Sequence, residues 1–279
     1  MRLSDDMGID KTNIEEEKND RLNLSKRRQT YRGTPEQDTR NASIQDKKSP
    51  SGVTIITGTN RPHFMEKVFA NYNRQMYEQK ELIVVLNDNQ MDIEEWKDRA
   101  QQFKAVRVFQ LDESKTLADC LNLAISHSHY SYISKFDDDN YYAPQFISDL
   151  IDVFKHSDAH IVGKRAYYTY LENKKMLILR FPSLENRYVN FLSGSAMVVK
   201  KEVFEKVRFT PVVRGTDTIF LKDCLANKFK IYSADRFNYV YVRKLEGERT
   251  TWPIKDEELL ANNCKIIGVM DDYCSYVTV

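Results

Sequence analysis

The sequence predicts an α/β fold in which a mostly parallel sheet is flanked by helices on both sides. From Val53 onward, strand-like and helix-like segments alternate in four rounds with short connections. VTIITG is a β-branched run of strand length, and ELIVVLN is a continuous apolar run, as expected of a strand buried on both faces of a parallel sheet. Such an alternation of strands and helices builds a parallel sheet. The second half mixes strand pairs with helices, so we expect a smaller antiparallel part there.

The first half divides into its elements at clear signals. The first strand begins at Val53 and ends at Gly58, and Pro62 suits the first turn of the next helix. The apolar face of this helix is expected to hold, at helical spacing, Phe64, Val68, Tyr72 and Met76. A second strand covers Glu81–Asn87, and the segments that follow are a helix in DIEEWKDRAQQF, a strand in AVRVFQL, a helix in TLADCLNLAISHS and a strand in YSYISKF.

The second half begins with a helix over residues 143–156 and then loses this rhythm. The stretch IVGKRAYYTYLENKKMLILRF predicts strands joined by a polar turn, Glu172–Lys175. FLSGSAMVVKKEVFEKV indicates a strand and a short helix, TDTIFLKDCLANK a helix, and KIYSADRFNYVYVR one or two strands.

Composition excludes several classes of protein. The 42 Lys and Arg residues balance the 41 Asp and Glu residues, without the basic excess that is typical of nucleic-acid-binding proteins. No apolar run approaches the roughly 20 residues of a transmembrane helix, and the N-terminus lacks the apolar region of a signal peptide. We expect a cytoplasmic protein, with peripheral association to a membrane left open. The scattered cysteines predict reduced, mostly buried thiols.

Three consecutive aspartates, Asp137–Asp139, follow the fourth strand. The carboxyl ends of parallel strands share one edge of a sheet, where ligands bind, so TGTNRP and NDN are expected beside them. One aspartate is enough to cap the next helix. Adjacent carboxylates repel each other and call for a cation, and carboxylate oxygens suit Mg²⁺ or Mn²⁺. Helix capping and metal binding both remain open at this point.

These stretches together resemble glycosyltransferase family 2, whose members have the Rossmann-like glycosyltransferase A fold. The resemblance runs from Val53 to about Trp252 and rests on VTIITGTNRP, ELIVVLNDN, YISKFDDDNYYAP, LSGSAMVVKKEVFEKVRF and RGTDTIFLKDC. The sequence looks closest to bacterial enzymes that build capsule, wall or spore-surface glycans.

The resemblance implies an inverting enzyme that transfers a sugar from a nucleotide-sugar, by family frequency a UDP-sugar, to a hydroxyl of a glycan or surface polymer. It implies Asp217 as the catalytic base, and Asp139 with Asp137 as ligands of Mn²⁺ or Mg²⁺. The residues expected at the nucleotide-sugar are Thr57, Thr59, Asn60, Arg61, Asn87, Asp88, Asp137 and Asp138. The family's later loop over the donor corresponds to RKLEGERTTWPIKDEEL, with Arg249 and Trp252.

The resemblance also implies three parts of the chain. Residues 1–50 are highly charged and predict a disordered leader. Residues 51–252 form the glycosyltransferase A domain, with a nucleotide-binding half over 51–140 and an acceptor-binding half over 141–252. Residues 253–279 are a C-terminal extension that packs on this domain.

Other interpretations stay open from the sequence alone. Asp217 also suits the first turn of a helix, where a negative charge favours the helix dipole. Asn87 and Thr216 stand where the family usually has acids, so a non-catalytic sugar-binding or scaffold protein of a bacterial surface or spore layer is the alternative function. A nucleotidyltransferase is disfavoured, because TGTNRPHF lacks a glycine-rich phosphate loop. Lys115 is either near the phosphates or on the surface.

Overall fold

The computed structural model describes residue 20 and residues 51–244 and 254–279. The strands are β1 Val53–Thr59, β2 Lys80–Leu86, β3 Val106–Gln110, β4 Tyr132–Lys135, β5 Tyr141–Tyr142, β6 Ile161–Gly163, β7 Tyr167–Leu171, β8 Met176–Arg180, β9 Arg187–Tyr188, β10 Met197–Lys200, β11 Ile231–Ser233, β12 Tyr239–Arg243 and β13 Cys264–Val269. The helices are α1 Met65–Arg74, α2 Ile93–Ala100, α3 Leu117–Ser126, α4 Phe146–Phe154, α5 Thr216–Ala226, α6 Asp256–Ala261 and α7 Tyr273–Val277. Short 3₁₀ turns cover Pro62–Phe64, Glu172–Lys174 and Lys201–Glu205.

The larger sheet has eight strands in the order β3-β2-β1-β4-β10-β6-β11-β9. Strands β3, β2, β1 and β4 are mutually parallel, and β10 lies antiparallel between β4 and β6. Parallel strands need crossover connections, which α1, α2 and α3 supply. The predicted α/β fold with a mostly parallel first half is confirmed.

The core lies on both faces of this sheet because successive side chains of a strand alternate between faces. On β1, Val53 and Ile55 belong to the cluster that includes Phe69 of α1 and Trp96 of α2, and Ile56 belongs to the opposite cluster. The second cluster contains residues of α3 and α5. Two-sided burial explains why β1 and β2 are rich in β-branched and apolar residues.

The smaller sheet has five strands in the order β13-β8-β7-β12-β5 and corresponds to the predicted mixed, largely antiparallel part of the fold. Strand β12 pairs parallel with β7, and the other neighbours are antiparallel. Strand β8 pairs antiparallel with both β7 and β13, so the C-terminal segment contributes an edge strand. Tyr167 of β7 pairs with Arg180 of β8, and the Tyr167 ring centre lies 6.1 Å from that of Tyr239 on β12. Tyr239, Tyr167 and Arg180 thus form one row across three strands.

One local expectation about the first helix meets a different outcome. Helix α1 ends at Arg74, so Met76 lies beyond it with 68% of its surface exposed, and its N–H donates to the Pro144 carbonyl at 2.7 Å. The prediction that Met76 belongs to the apolar helix face was wrong, because the chain leaves the helix to meet the start of α4. Cys120 and Cys224 are buried free thiols.

The leader and the late loop are described only in part. Asp20 accepts a hydrogen bond of 2.7 Å from Arg236, and the rest of residues 1–50 lies outside the described residues. So do Arg249, Thr250, Thr251 and Trp252. Within the described ranges, no helix combines the length and apolar character that crossing a membrane requires.

Candidate active site

The aspartate triplet lies at the carboxyl end of β4, beside the end of β1. Asp138 is 4% exposed and is held by Arg61, whose Nε lies 3.1 Å from Asp138 Oδ2 and whose Nη2 donates to Oδ1. Arg61 Nη2 also lies 2.8 Å from Asp139 Oδ2. The Thr59 hydroxyl donates to Asp138 Oδ2 at 2.5 Å. Arg61 therefore neutralises the middle of the triplet and touches its last member.

Lys135, the last residue of β4, joins the triplet to Asp217. Its ammonium is 4% exposed, and Nζ lies 2.7 Å from Asp137 Oδ1 and 3.2 Å from Asp217 Oδ2. Burial by itself lowers the pKa of Lys135, but the charges of Asp137 and Asp217 outweigh burial and raise it. The structure thus brings the predicted metal ligand Asp137 and the predicted base Asp217 onto one buried cation.

Asp217 lies in the first turn of α5, and its carboxylate does not cap the helix. The N-cap is Gly215, with a φ of 80°, and the cap makes no side-chain hydrogen bond. Asp217 Oδ1 is buried without a hydrogen-bond partner among the described residues. Burial, helped by the charge of Asp137, raises the pKa of Asp217 against the opposing effect of Lys135. A carboxylate with a raised pKa and a free oxygen can accept a proton.

Gly194 makes room for Asp217. A Cβ atom at position 194 would lie 2.1 Å from Asp217 Oδ2, far inside any contact distance. The backbone of the loop between β9 and β10 therefore packs directly against the carboxylate, which only glycine allows. Neither Gly194 nor Lys135 was predicted. The signals for them were a glycine within LSGSAM and a lysine at the end of a buried strand.

The turn after the triplet is fixed by buried hydrogen bonds. Asn140 Nδ2 donates to Ser195 Oγ at 3.1 Å and to the Tyr239 hydroxyl at 3.2 Å, and Asn140 Oδ1 accepts from the N–H of Val242 at 3.0 Å. The Tyr142 hydroxyl accepts from the N–H of Asp137 at 2.8 Å and donates to the carbonyl of Ser195 at 2.8 Å. These bonds tie the triplet to β10 and β12.

The structure rules out helix capping by the triplet. Strand β5 separates it from α4, whose N-cap residue is Gln145, so none of the three aspartates caps that helix. Lys67 of α1 adds a further cation, because its ammonium donates to the carbonyl of Asp139. The triplet is a charged cluster at the sheet edge.

The other predicted site residues lie along the same edge or beneath it. Asn87 donates its N–H to the Thr59 carbonyl at 2.8 Å and its side-chain amide to the Asp112 carbonyl at 2.9 Å. Asp88 Oδ1 accepts from the N–H of Gln90. Thr57 is 2% exposed within β1, whereas two further residues named from the sequence, Asn60 and Lys115, are exposed.

The carboxylates at the sheet edge would suit one divalent ion. No group of three His, Cys, Asp or Glu side chains is gathered for a metal anywhere in the described chain. Two carboxylates remain suitable, Asp139 and Asp137, and Mg²⁺ commonly takes one or two carboxylates and completes its shell with phosphate oxygens and water. Burial and the charges of Asp137 and Asp138 raise the pKa of Asp139 despite Arg61, so more positive charge is favourable there.

Comparison with known proteins identifies the family. The family described as Glycosyl transferase family 2 matches residues 54–208, more than half of the chain. The chain belongs to glycosyltransferase family 2. The match includes the triplet, Lys135, Arg61 and Gly194, while Asp217 follows it. No protein with a curated description matches the sequence.

Solved structures of glycosyltransferases share the fold of this family 2 member. S. aureus TarS 1–349 superposes with a TM-score of 0.57 at 13% identity, over 68% of this chain and 60% of that one. Its complex with UDP-GlcNAc gives 0.60 at 13% identity, over 75% and 64%. The mannosyltransferase PcManGT from Pyrobaculum calidifontis, in complex with GDP-Man and Mn²⁺, gives 0.55 at 16% identity, over 86% and 69%. This likeness shows the glycosyltransferase A fold, and the chain spans 60–64% of the two TarS chains.

Proposed function

We propose that this family 2 protein is an inverting, metal-dependent glycosyltransferase. It transfers a sugar from a nucleotide-sugar, by preference a UDP-sugar, to a hydroxyl of a glycan or surface-polymer acceptor. The observation that carries the proposal is the cluster in which Lys135 bridges Asp137 and Asp217 while Arg61 holds Asp138 and Asp139. Donor-binding and proton-accepting carboxylates adjoin each other, as a single displacement requires.

Asp217 is the proposed base. An acceptor hydroxyl is a weak nucleophile, and its proton passes to Asp217 as its oxygen attacks the anomeric carbon of the donor. Asp217 Oδ1 lacks a partner among the described residues, so it is the oxygen that takes the proton, while Lys135 holds Oδ2. The backbone at Gly194 packs directly against the same carboxylate.

Asp139 and Asp137 are the proposed ligands of the ion. Bound Mn²⁺ or Mg²⁺ supplies positive charge that stabilises the leaving diphosphate. Asp138, tied by Arg61 and Thr59, keeps the turn in shape and faces the ribose side of the donor. The remaining proposed donor contacts lie at the ends of β1 and β2, namely Thr57, Asn60, Asn87 and Asp88.

The solved neighbours support the choice of donor. Two of them carry a nucleotide-sugar, UDP-GlcNAc in TarS and GDP-Man in PcManGT, and the second also carries Mn²⁺. Their ligands are extended to this chain as a proposal, with UDP first because TarS also binds UDP alone.

Thermal unfolding tests the proposal. UDP, GDP, dTDP and CDP are added with and without Mn²⁺, and one nucleotide is expected to stabilise the protein only with the metal. A ligand at 100 times its Kd adds about 2.7 kcal/mol to the free energy of unfolding. Asp139→Asn is expected to lose this stabilisation. Asp271→Asn, at a carboxylate that is 83% exposed, is the control and should keep it.

The contrary outcome is equally clear. A folded wild-type protein that no nucleotide stabilises, with or without Mn²⁺, would contradict an enzyme of this kind. It would favour the alternative of a non-catalytic glycosyltransferase-like protein that binds sugar or serves as a scaffold.

A further inference from the structure

Arg165 and Arg180 are the two arginines of the second half that are withdrawn from water without a carboxylate partner among the described residues. Arg165, half-buried after β6, stacks its guanidinium carbon 3.6 Å from the ring centre of Phe181 and 5.2 Å from that of Phe191. Arg180 is 4% exposed and donates from Nη1 to the Leu259 carbonyl at 2.8 Å, while its Nε is buried without a partner in the described part of the chain.

Most other arginines that the fold covers do meet an acid. The pairs are Arg61 with Asp138 and Asp139, Arg99 with Glu66, Arg107 with Glu81, Arg236 with Glu185 and Asp20, and Arg243 with Asp256. Burial, together with the charge of Arg180, lowers the pKa of Arg165. Two neighbouring cations without an anion are unfavourable when they are withdrawn from water, and a bound anion would relieve this.

The platform beneath Arg165 is itself held in an uncommon conformation. Phe181 has a φ of 49°, which bulky residues rarely adopt, and its N–H donates to the Asn263 carbonyl at 2.7 Å. Such backbone strain persists where the surrounding structure imposes it, and it is concentrated at functional sites. The strained residue turns an aromatic face toward the Arg165 guanidinium, whose N–H groups have no hydrogen-bond partner in the described part of the chain.

The two arginines connect to the proposed base through short links. The Lys164 carbonyl, beside Arg165, accepts from the N–H of Ser193 at 2.8 Å, and Gly194 follows with its contact to Asp217. On the sheet, the Tyr239 hydroxyl lies 2.7 Å from Ser195 Oγ, and the row from Tyr239 through Tyr167 ends at Arg180.

We propose that Arg165 and Arg180 bind a phosphate or carboxylate group of the acceptor while its hydroxyl lies at Asp217. The inference rests on the proposed function and deepens it, because it names an anionic glycan or polyol phosphate as the acceptor class. Guanidinium groups bind phosphate and carboxylate through paired, charge-assisted hydrogen bonds. The Arg165 guanidinium is already held in position by its stacking on Phe181.

The test is binding of small probes by ligand-observed NMR, first without nucleotide. Glycerol 3-phosphate and galacturonate are the anionic probes, and glycerol and galactose are their neutral counterparts. The wild-type protein is expected to bind an anionic probe and to bind its neutral counterpart at least about tenfold more weakly, as for one lost charge-assisted contact. The anion that binds tells whether the acceptor carries phosphate or carboxylate.

Three variants sharpen the test. Arg165→Gln is expected to weaken binding of the anionic probe about tenfold. Arg165→Lys is expected to recover part of this loss, because it restores the charge without the paired N–H donors of a guanidinium. Arg208→Gln removes an exposed arginine and should leave binding unchanged. Equal binding of anionic and neutral probes, no binding of either anion, or equal effects of Arg165→Gln and Arg208→Gln would overturn the inference.

Thermal unfolding with nucleotide and Mn²⁺ separates this inference from the proposed function. Arg165→Gln should keep the nucleotide stabilisation of the wild-type protein, since Arg165 is assigned to the acceptor. If nucleotide stabilises both the wild-type protein and Arg165→Gln, and Arg165→Gln binds the anionic probe as well as the wild-type protein does, the inference is wrong and the proposed function stands. Absence of nucleotide stabilisation in the wild-type protein removes the proposed function.

Discussion

Lys135 Nζ lies 3.2 Å from Asp217 Oδ2 and 2.7 Å from Asp137 Oδ1, so one ammonium serves two carboxylates from distant parts of the chain. The lysine side chain is 4% exposed, whereas both carboxylates are about 30% exposed. The cation is thus inside the protein while both acid side chains are partly exposed, although Asp217 Oδ1 itself is buried. This arrangement predicts that stability and catalysis both depend on Lys135.

Lys135→Met should destabilise the protein by about 2 kcal/mol, because Asp137 and Asp217 would lose the charge that compensates their burial. The partial exposure of both acids keeps this value below that of a fully buried pair. Urea unfolding measures the change. Lys155→Met, at a lysine that is 65% exposed, is the control and should change stability little. Equal effects of the two substitutions would contradict the bridging role of Lys135.

Asp217→Asn should reduce sugar transfer by roughly 10²- to 10⁴-fold, the range for loss of a general base. The amide has nearly the same shape, so nucleotide and Mn²⁺ should still raise the unfolding temperature. Product formation with saturating donor measures the loss. Asp223→Asn in the same helix should retain activity. Full activity of Asp217→Asn would assign proton removal to another group.

Gly194→Ala should inactivate the enzyme while leaving it folded. The new methyl would lie 2.1 Å from Asp217 Oδ2, so the carboxylate must leave its position beside Lys135. Gly268→Ala is a matched control, because the nearest atom to its new methyl is Met270 Cε at 3.8 Å. Activity and far-UV circular dichroism are compared for the two variants. An active Gly194→Ala enzyme would show that the position of Asp217 is not critical.

Arg61→Gln should make the protein more responsive to metal without nucleotide. Loss of the guanidinium leaves Asp138, which is 4% exposed, and Asp139 under-neutralised, at a cost of about 2 kcal/mol. Mn²⁺ should then raise the unfolding temperature more in the variant than in the wild-type protein. Arg208→Gln should respond as the wild-type protein does. A smaller Mn²⁺ response in Arg61→Gln would place the ion away from these carboxylates.

Glu81 makes a pH-dependent contribution to stability away from the site. It accepts from the Thr54 hydroxyl at 2.6 Å, from the His129 N–H at 2.7 Å and from Arg107 at 2.7 Å. Burial by itself raises the pKa of Glu81, but these bonds outweigh burial and lower it below 4.5. The pKa of Glu81 is therefore lower in the folded than in the unfolded protein. Its contribution to the free energy of unfolding is complete above pH 4.5 and is lost as the pH falls through the folded-state pKa.

Glu81→Gln should therefore lower the free energy of unfolding by about 1 to 2 kcal/mol at pH 7. The difference from the wild-type protein should shrink as the pH falls below 4.5. Urea unfolding at several pH values measures this trend, and Glu94→Gln, at a side chain that is 71% exposed, is the control. A difference that is constant with pH would mean that the charge of Glu81 is not responsible.

Local patterns were enough to predict most of the strands and helices, although β5, β9 and β13 were not predicted. The apolar run of β2 and the helical spacing on α1 are properties of neighbouring residues, which explains why both elements were predicted correctly. Met76 was misplaced because its position follows from a hydrogen bond to Pro144, which is distant in sequence.

The sequence by itself determined the alternation of buried strands and helices, and hence the sheet edge at which Asp137–Asp139 lie. The tertiary structure decided which charges meet there. Lys135 and Asp217 are 82 positions apart, and their contact depends on how β4 and the first turn of α5 lie beside Gly194. Pairing between distant charges depends on strand order and backbone approach, and no periodicity in the chain encodes these.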